Sequence, residues 1–381
     1  MKFQVNRDVF SEAVSFAVKL LPQRTTLPIL SGVLIEATAE GITLSSFDYE
    51  VSARTQVAAQ VDEAGTALVS GRLLADIASR LPSAPVTFST EDGRIVVSCG
   101  SANFTLLSMP VEEYPTLPEV SENSGLLKAE DFAAAISQVA VAASRDDVTP
   151  VITGVQLEVS ENSLSLVATD RYRVAVREIE WDAGASGIDQ ATALVPARTL
   201  TEIGKTFGHS GTISVAITNS EERELIAFQA DNKTVTSLLI KGNFPPVKRL
   251  FPTDVDNYAV LNTAELIESV RRVSLVLERE AALRFTFTID GLTLEAIGSE
   301  QAQASESIDA FLTGSDTVVS LKPQFLLDGL ASVHSEFVRI SFTKTENPNK
   351  PGPVLITSQS SKDQPGADNY KYLLQPNLLL R

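Results

Sequence analysis

Three segments of this 381-residue chain resemble one another. They begin at Val69 (VSGRLLADIASRL), Val195 (VPARTLTEIGKTF) and Leu321 (LKPQFLLDGLASV), and successive starts are 126 residues apart. Each segment reads as the end of a strand, a short helix and then a pair of strands. Self-similarity at a fixed period means that one structural unit is copied along the chain, so the repeat constrains the fold more than any single motif.

A second set of three similar segments precedes the first, and its members begin at Phe10, Asp131 and Ala264. Each copy is therefore a unit of about 125 residues, built from two halves that each combine a helix with strands. Matching strand positions are occupied by Leu44, Leu166 and Leu294. Polar and turn-forming residues separate the copies. We predict three domains, at residues 1–121, 126–250 and 255–381.

The segments alternate between two hydrophobic periods. Phe10, Ala13, Val14 and Ala17 follow the spacing of an amphipathic helix, and the strand segments alternate apolar and polar residues. Asn262, three residues before Glu265, is typical of a helix N-cap. Helices carried on mainly antiparallel sheets predict an α+β fold.

Composition narrows the class of protein. The net charge is −17, and the single cysteine, Cys99, excludes a disulfide framework within the chain. No apolar run is long enough to span a bilayer. Met1 leads directly into an alternating pattern without a signal-peptide layout, so we expect a cytoplasmic protein without membrane contacts.

Basic residues recur on the repeated helices although the chain is acidic. Exposed helix positions often carry solvated Lys and Arg, which is the simpler interpretation of each residue alone. Their recurrence in equivalent helices favours one positive surface that contacts phosphates without reading bases. The candidate DNA-facing residues are Arg24, Arg72, Arg80, Arg145, Arg198, Lys205, Arg271, Arg272 and Lys322.

Side chains that do catalytic chemistry are scarce. The two histidines, His209 and His334, fall at almost the same repeat position, in a turn after a helix. Gly204-Lys205-Thr206 resembles the end of a P-loop, but Thr199 stands where its first glycine belongs. Asp146-Asp147 lacks a third metal ligand. We predict no catalytic residue, metal or cofactor.

Five motifs, taken in order, resemble bacterial sliding clamps, the beta-subunit family of DNA polymerase III. The resemblance covers the whole chain and is carried by Met1-Lys2-Phe3, residues 24–30 (RTTLPIL), 168–176 (ATDRYRVAV), 244–252 (FPPVKRLFP) and 372–376 (YLLQP).

The resemblance implies a ring-shaped head-to-tail homodimer with helices lining a central hole and sheets outside. Such a ring encircles duplex DNA and tethers the replicative polymerase, repair polymerases and other proteins that carry short clamp-binding peptides. It also implies an ATP-driven clamp loader as a partner. At the ring joint it places Phe104 and Leu106 on one side and the region of Leu275 on the other.

The resemblance further implies a pocket for partner peptides between the second and third domains. Three departures bear on it: Arg171 stands where glycine is common, and Gln375 and Asn377 stand where the family often has apolar residues. The pocket residues carried over by motif are Ile152, Thr169, Arg171, Tyr172, Arg173, Val174, Pro245, Arg249, Leu250, Leu373, Leu374, Gln375, Pro376, Asn377 and Leu378.

Two other classes of protein stay open on the residues alone. A hydrolase or transferase of α+β fold would need a polar catalytic cluster, which the sequence does not show. A repeat scaffold that binds proteins but no DNA would use the same domains without needing the basic helix residues.

Overall fold

The computed structural model describes residues 1–22, 24–120, 124–184, 189–219, 223–297, 302–345, 350–366 and 369–379. The helices are α1 (Arg7–Lys19), α2 (Gly71–Ala78), α3 (Ala129–Ala140), α4 (Ala197–Phe207), α5 (Thr263–Val273) and α6 (Pro323–Ala331). Short 3-10 helices span Pro28–Ser31, Val111–Glu113, Pro150–Ile152, Val247–Leu250 and Ser274–Val276.

The strands are numbered in chain order. The first repeat contains β1 (Lys2–Val5), β2 (Gly32–Thr38), β3 (Gly41–Phe47), β4 (Val51–Val57), β5 (Gln60–Glu63), β6 (Gly65–Ser70), β7 (Val86–Glu91), β8 (Arg94–Cys99) and β9 (Ala102–Leu107). The second contains β10 (Ser124–Lys128), β11 (Gly154–Ser160), β12 (Ser163–Thr169), β13 (Arg173–Glu180), β14 (Gln190–Pro196), β15 (Thr212–Asn219), β16 (Glu224–Ala230) and β17 (Lys233–Leu238). The third contains β18 (Tyr258–Asn262), β19 (Leu283–Thr288), β20 (Gly291–Ile297), β21 (Gln303–Ile308), β22 (Phe311–Thr313), β23 (Thr317–Leu321), β24 (Phe337–Phe342), β25 (Val354–Gln359) and β26 (Lys371–Leu374).

The predicted α+β class and the threefold repeat are confirmed. Leu44, Leu166 and Leu294 are each the fourth residue of a seven-residue strand, and each is fully buried. A cap predicted from the sequence is also present, because the Asn262 Oδ1 accepts a hydrogen bond from the Glu265 N–H at 3.0 Å. The boundary residue Ser121 and the last two residues, Leu380 and Arg381, lie outside the described part of the chain.

The chain divides into two compact units, and the second repeat contributes to both. The first unit contains two antiparallel sheets, ordered β5-β1-β7-β8-β9 and β10-β15-β16-β17-β4-β3-β2-β6. In the larger sheet β17 pairs with β4, so that one sheet carries strands of two repeats. Helices α1 and α2 pack against each other. Phe3, Phe10 and Phe88 are among the residues of its main core.

The second unit is built in the same way. Its sheets are ordered β14-β11-β12-β13-β26-β25-β24-β18-β22 and β21-β20-β19-β23. Here β13 pairs with β26, and this pairing joins strands of the second and third repeats. Helix α5 packs against α6, and α6 packs against β26. Strand β9 in the first unit and strand β21 in the second are the outermost strands of their sheets.

Each repeat ends with the same backbone contact. The chain leaves its last strand, crosses to the strand that precedes the second helix of the repeat, and donates one N–H to a carbonyl there. These bonds, all of 2.8 Å, join Met109 to Leu68, Ile240 to Leu194 and Asn377 to Ser320. The accepting residues stand one position before the repeat starts at Val69, Val195 and Leu321. The backbone therefore preserves the repeat where the side chains differ.

Candidate functional site

The loop between β12 and β13 holds the centre of the predicted pocket. The Asp170 carboxylate accepts hydrogen bonds from the N–H groups of Tyr172 (3.1 Å) and Arg173 (3.2 Å). Arg171 has φ +80°, and its guanidinium donates to the Thr149 Oγ1 at 2.5 Å. Aspartate is suited to this position because its short carboxylate can reach N–H groups two and three residues ahead.

Arg173 is buried in a network of charged and aromatic groups. Its Nε lies 3.0 Å from the Asp170 Oδ2, and its Nη1 lies 2.6 Å from the Asp328 Oδ2 and 3.1 Å from the Tyr372 Oη. The guanidinium carbon stands 4.5 Å above the Phe325 ring. Burial alone disfavours the charged form, but Tyr372, Asp328 and Asp170 outweigh it and raise the pKa of Arg173. Arg173 thus ties the loop to α6 and β26.

Tyr372 is the phenolic member of this network. Burial raises the pKa of its hydroxyl, although the Arg173 charge opposes that effect. The hydroxyl donates to the Phe325 carbonyl at 2.6 Å. Phe325 and Asp328 were not predicted from the sequence. Asp170 was within the ATDRYRVAV motif, but nothing local marks Asp328 as its counterpart.

A cavity of about 500 Å³ lies beside this network. Tyr172, which is 62% exposed, stacks over Phe325 with ring centroids 5.9 Å apart. Four predicted pocket residues line the cavity, namely Ile152, Arg171, Tyr172 and Arg173. Arg145, predicted to face DNA, lines it as well. The cavity therefore combines an aromatic wall with three cationic side chains.

Val174 and Leu373 are directly opposite each other in the β13–β26 pair. Both belong to a buried apolar cluster with Val247, and Phe244 and Phe251 pack against that cluster. Because side chains alternate along a strand, Val174 and Leu373 lie on the opposite sheet face from Arg173 and Tyr372. The predicted pocket set therefore occupies both faces of the sheet.

The segment that covers this apolar cluster carries three predicted pocket residues. Pro245 is half-buried, Arg249 is exposed and Leu250 is 53% exposed. The neighbouring Lys248 forms an ion pair with Glu158 of β11, which fixes the segment to the sheet. An apolar side chain of a peptide can pack on an exposed leucine that lies next to a buried apolar cluster, and this packing enlarges the apolar contact.

The tail after β26 runs from the pocket to a different place. Leu374 and Pro376 are buried, and the Gln375 N–H donates to the Tyr172 carbonyl at 2.9 Å. Leu378 lines a separate cavity of about 670 Å³ together with Phe342 and Val354. Thr169, the last residue of β12, is buried and donates its hydroxyl to the Arg173 carbonyl at 2.7 Å.

Among the predicted DNA-facing residues, Arg145 and Arg198 line a common cavity of about 730 Å³. Four hydroxyl side chains line it too, those of Ser137, Ser144, Thr153 and Thr201. Two guanidinium groups beside hydroxyls can bind phosphate oxygens, although the Asp147 carboxylate, which also lines the cavity, opposes an anion there.

In the first unit, Lys205 lines a groove of about 460 Å³ with three further basic residues that were not predicted from the sequence, Arg7, Lys19 and Lys233. The carboxylates of Asp8 and Glu12 line it as well. Arg24, Arg72 and Arg80 are exposed, and the Arg72 Nη2 donates to the Pro22 carbonyl at 3.2 Å.

The other three predicted DNA-facing residues have carboxylate partners. The Arg271 Nη1 lies 2.7 Å from the Glu268 Oε1, and the Arg272 Nη2 lies 2.6 Å from the Glu306 Oε1. Lys322 pairs with Glu280. Hydrogen bonds from these cations lower the pKa of Glu306 and of Glu280. Their charges are locally balanced, which weakens their attraction for phosphate.

Two of the three predicted joint residues lie on an edge strand, and the third lies on a 3-10 helix near another edge strand. Phe104 and Leu106 belong to β9; Phe104 is 36% exposed and Leu106 packs partly against the first core. Leu275, in the 3-10 helix after α5, is 83% exposed. That helix packs near β21. Both edges therefore offer apolar side chains beside unpaired backbone groups.

The described residues contain no group of three His, Cys, Asp or Glu side chains that could hold a metal ion. Gly204-Lys205-Thr206 lies within α4, so its backbone N–H groups are not arranged as a phosphate-binding loop. Over the same described residues, no helix is both long and apolar enough to cross a bilayer.

The fold is a triple repeat of one α+β unit with sheets continued from repeat to repeat. Domain models of one known protein family match all three repeats. The N-terminal, central and C-terminal domain models of the DNA polymerase III beta subunit match residues 1–118, 126–246 and 248–363, respectively.

Related proteins agree over the full length. The chain is 45% identical to the beta sliding clamp of Streptomyces coelicolor over 377 residues, which is 99% of both chains. It is 43% identical to the beta sliding clamp of Micrococcus luteus, over 82% of this chain and all of that one. The crystal structure of the Bacillus subtilis DNA polymerase sliding clamp superposes with a TM-score of 0.90 at 25% identity, with complete coverage of both. The chain belongs to the bacterial beta sliding clamp family.

Proposed function

We propose that this chain is a DNA sliding clamp in which two copies close head to tail into a ring around duplex DNA. The ring tethers a replicative polymerase and other peptide-bearing partners. The observation that carries the proposal is the ordered match of all three clamp domain models along one chain. We take the domains to be residues 1–121, 126–250 and 255–381, and the protein to act in the bacterial cytoplasm at the nucleoid.

The two joints between repeats support a head-to-tail ring. In each, the strand that follows a seven-residue strand of one repeat pairs with the last strand of the next, as β4 does with β17 and β13 with β26. The third repeat has the equivalent strand β21, and the first repeat has the last strand β9. Each is outermost in its sheet, so β21 of one copy and β9 of a second copy can make the same pairing. Two such pairings close a ring of six units without leaving an open interface.

The observed pairings also supply a register for this joint. Ala53 faces Val235, and Ala175 faces Tyr372, and all four side chains are fully buried. Ala304 is the equivalent alanine of β21, because its place in the register of the β20–β21 hairpin matches the places of Ala53 and Ala175 in their own hairpins. We therefore propose that it faces Phe104 of the partner subunit.

The same comparison supports the proposal that one joint is a peptide site. In the second unit, the outer face of the joint has Val174 opposite Leu373. The equivalent positions of the first unit are Ser52 and Thr236. At the proposed subunit joint, Gln303 would face Thr105 of the partner subunit. Of these three joints, only this one has an apolar pair, which is buried and can support an apolar surface that binds leucine or phenylalanine side chains of a peptide.

DNA contacts need no sequence reading in such a ring. We propose that Arg24, Arg72, Arg80, Arg145, Arg198 and Lys205, with the newly identified Arg7, Lys19 and Lys233, face the duplex. We also keep Arg271, Arg272 and Lys322 among the candidates. Carboxylate partners reduce the contribution of these three, and they do the same for Arg7, which pairs with Asp8, and for Lys233, which pairs with Glu12. Weak phosphate contacts permit sliding, and closure of the ring prevents escape.

The clamp needs no chemistry of its own. Tethering raises the concentration of a bound polymerase near its template, which makes synthesis processive. We propose that the chain is not an enzyme and that a clamp loader supplies the ATP hydrolysis that opens the ring.

Retention on circular DNA tests this function. Labelled protein is loaded onto singly nicked circles with a bacterial clamp loader and ATP, and bound protein is measured after gel filtration before and after the circle is cut. A clamp stays on circles and is lost within minutes from linear DNA. Equal retention on both forms would contradict topological linkage, and absence from both would favour a protein scaffold that binds no DNA.

A further inference from the structure

A groove of about 670 Å³ lies between β23 and the loop joining β24 to β25. Val318, Phe342 and Val354 form apolar walls, and Leu378 and Leu379 of the tail line it as well. The ionisable residues along the described lining are Lys344 and Lys350. The tail therefore places two leucines against an apolar surface, away from the cavity that contains Tyr172.

The tail reaches this groove through the contact that ends each repeat. The Asn377 N–H donates to the Ser320 carbonyl at 2.8 Å, as Met109 does to Leu68 and Ile240 to Leu194. After the first two contacts the chain continues as the linker to the next repeat. After the third it supplies Leu378 and Leu379 to the groove. The tail thus takes the position that a linker has after the first two repeats, but its residues at that position are apolar.

Gln375 lies between this groove and the candidate peptide pocket. Its N–H donates to the carbonyl of Tyr172, which lines the pocket cavity, at 2.9 Å. Its Nε2 donates to the carbonyl of Pro351, which lines the groove, at 3.3 Å. One side chain and its own backbone therefore contact the walls of both cavities.

We propose that the groove is a latch for the segment Asn377–Leu379, and that Gln375 couples the latch to the peptide pocket. A docked tail holds the Tyr172 loop in its binding conformation, and a released tail loosens it. The coupling to peptide affinity rests on the proposed function of the pocket, whereas the latch itself does not.

Two features suit this segment to such a role. Leu378 is 66% exposed and Leu379 is 43% exposed, so the docked state is shallow and can exchange with a released state. Pro376 between the latch and Gln375 is buried, and its ring fixes the backbone angle φ. Movement of Asn377 is therefore transmitted to Gln375 instead of being absorbed between them.

The test replaces a groove wall residue and follows two amide protons. Val318→Asp places a charge against the leucines, and Ile289→Asp, a 79% exposed site in the turn between β19 and β20, is the control for an added charge away from the groove. Amide hydrogen exchange of Asn377 reports the latch, and that of Gln375 reports the bond to Tyr172. Affinity is measured with a short synthetic peptide carrying adjacent Leu and Phe residues. A Leu378→Asp/Leu379→Asp variant repeats the test at exposed positions in case Val318→Asp folds poorly.

We expect Val318→Asp and the double tail variant to accelerate exchange at both amides at least about fivefold, as expected for losing a hydrogen bond. Peptide affinity should fall about three- to tenfold through lost pre-organisation, with Ile289→Asp unchanged. Unaltered exchange at Asn377 overturns the latch. Faster exchange at Asn377 alone overturns the coupling, as does faster exchange at both amides with unchanged affinity. If both amides accelerate but the unmodified chain binds no such peptide, the pocket function fails while the latch and its bond to Tyr172 stand.

Discussion

The Arg173 Nη1 and the Asp328 Oδ2 lie 2.6 Å apart although 155 residues separate them in the chain. This ion pair joins the loop after β12 to α6 and holds Tyr172 and Phe325 together beside the candidate pocket. The side chains of Arg173, Asp170 and Asp328 are 9%, 13% and 19% exposed, so water screens their charges weakly.

Replacing this guanidinium should be costly. Arg173→Met leaves two mostly buried carboxylates without their cation, and we expect the free energy of unfolding at pH 7 to fall by about 3–5 kcal/mol. Urea denaturation measures the change. Arg171→Met, at the exposed rim of the same loop, is the control and should cost less than about 1 kcal/mol. Similar small losses for both variants would show that the network contributes little.

The proposed subunit joint predicts a specific cross-link. Phe104→Cys combined with Ala304→Cys should form a disulfide between two copies under mild oxidation, because directly opposed residues in antiparallel strands have Cβ atoms about 4.5–5.5 Å apart. Cys99 is buried and should not interfere. Non-reducing electrophoresis detects the covalent dimer.

A shifted pair controls this cross-link. Phe104→Cys with Ala302→Cys moves one cysteine by two residues, to a diagonal distance of about 7–8 Å, and should cross-link much more slowly. Faster linkage of the shifted pair would refute the register and require a different alignment of β9 and β21.

The hydroxyl-lined cavity of the second unit predicts a change in salt dependence. If Arg145 and Arg198 each neutralise one phosphate, the double variant Arg145→Gln/Arg198→Gln should reduce the slope of log affinity against log salt by about 1.8 for linear duplex DNA. Arg284→Gln on β19, already close to Glu295, is the control and should leave the slope unchanged. Fluorescence anisotropy across a salt series measures it. An unaltered slope in the double variant would place these arginines away from DNA.

The apolar joint pair predicts a loss of peptide affinity without a loss of the ring. Val174→Ser puts at this position the residue type found at the equivalent Ser52. It should weaken peptide binding about tenfold, because a hydroxyl and a small cavity in the buried cluster disturb the apolar surface that it supports. Ser52→Ala changes the equivalent site of the first unit and should leave binding unchanged. Titration calorimetry compares the two. Equal effects at both positions would argue against a single peptide-binding joint.

A buried tyrosine predicts a loss of stability at high pH. Burial raises the pKa of Tyr114 to about 12, the bond from the Phe47 N–H (2.7 Å) opposes this, and the charge of Asp48 adds to it. Because the folded-state pKa lies above the unfolded value of about 10, the protonated hydroxyl stabilises the fold fully below pH 10. That contribution, about 3 kcal/mol, is lost as the pH rises towards 12. Urea unfolding between pH 9 and 12 should show a steeper decline for the parent chain than for Tyr114→Phe, and parallel declines would disprove the assignment.

The repeat explains why so much of the fold was predictable from the sequence. Leu44, Leu166 and Leu294 kept the same strand position because each fills an equivalent core, so their alignment in the sequence carried structural information. The N-cap at Asn262 and the apolar stripe of α1 were predictable for a different reason, because both depend on neighbours within a few residues. The pocket was predictable mainly as a motif, which located the Asp170–Arg173 loop but not the partners that hold it.

The surroundings of the predicted basic residues were predictable only in part. Arg145 and Arg198 do line one cavity, whereas Arg271, Arg272 and Lys322 are each paired with a carboxylate. The partner Glu306 is 34 residues from Arg272 and on a different element. Helical spacing reveals which residues share a face, but it carries no information about which strand lies beside that face.

The sequence by itself determined the three copies, their α+β class and the family, because periodicity and motif order are local properties repeated along the chain. Tertiary structure alone decided which residues meet. Asp328 meets Arg173, and Leu378 meets the groove beside β23. Val174 meets Leu373, whereas the equivalent strand pair of the first unit brings Ser52 together with Thr236. The physical reason is that ion pairing, apolar burial and strand register depend on distance in space. Sequence separation, here up to 199 residues between Arg173 and Tyr372, does not encode that distance.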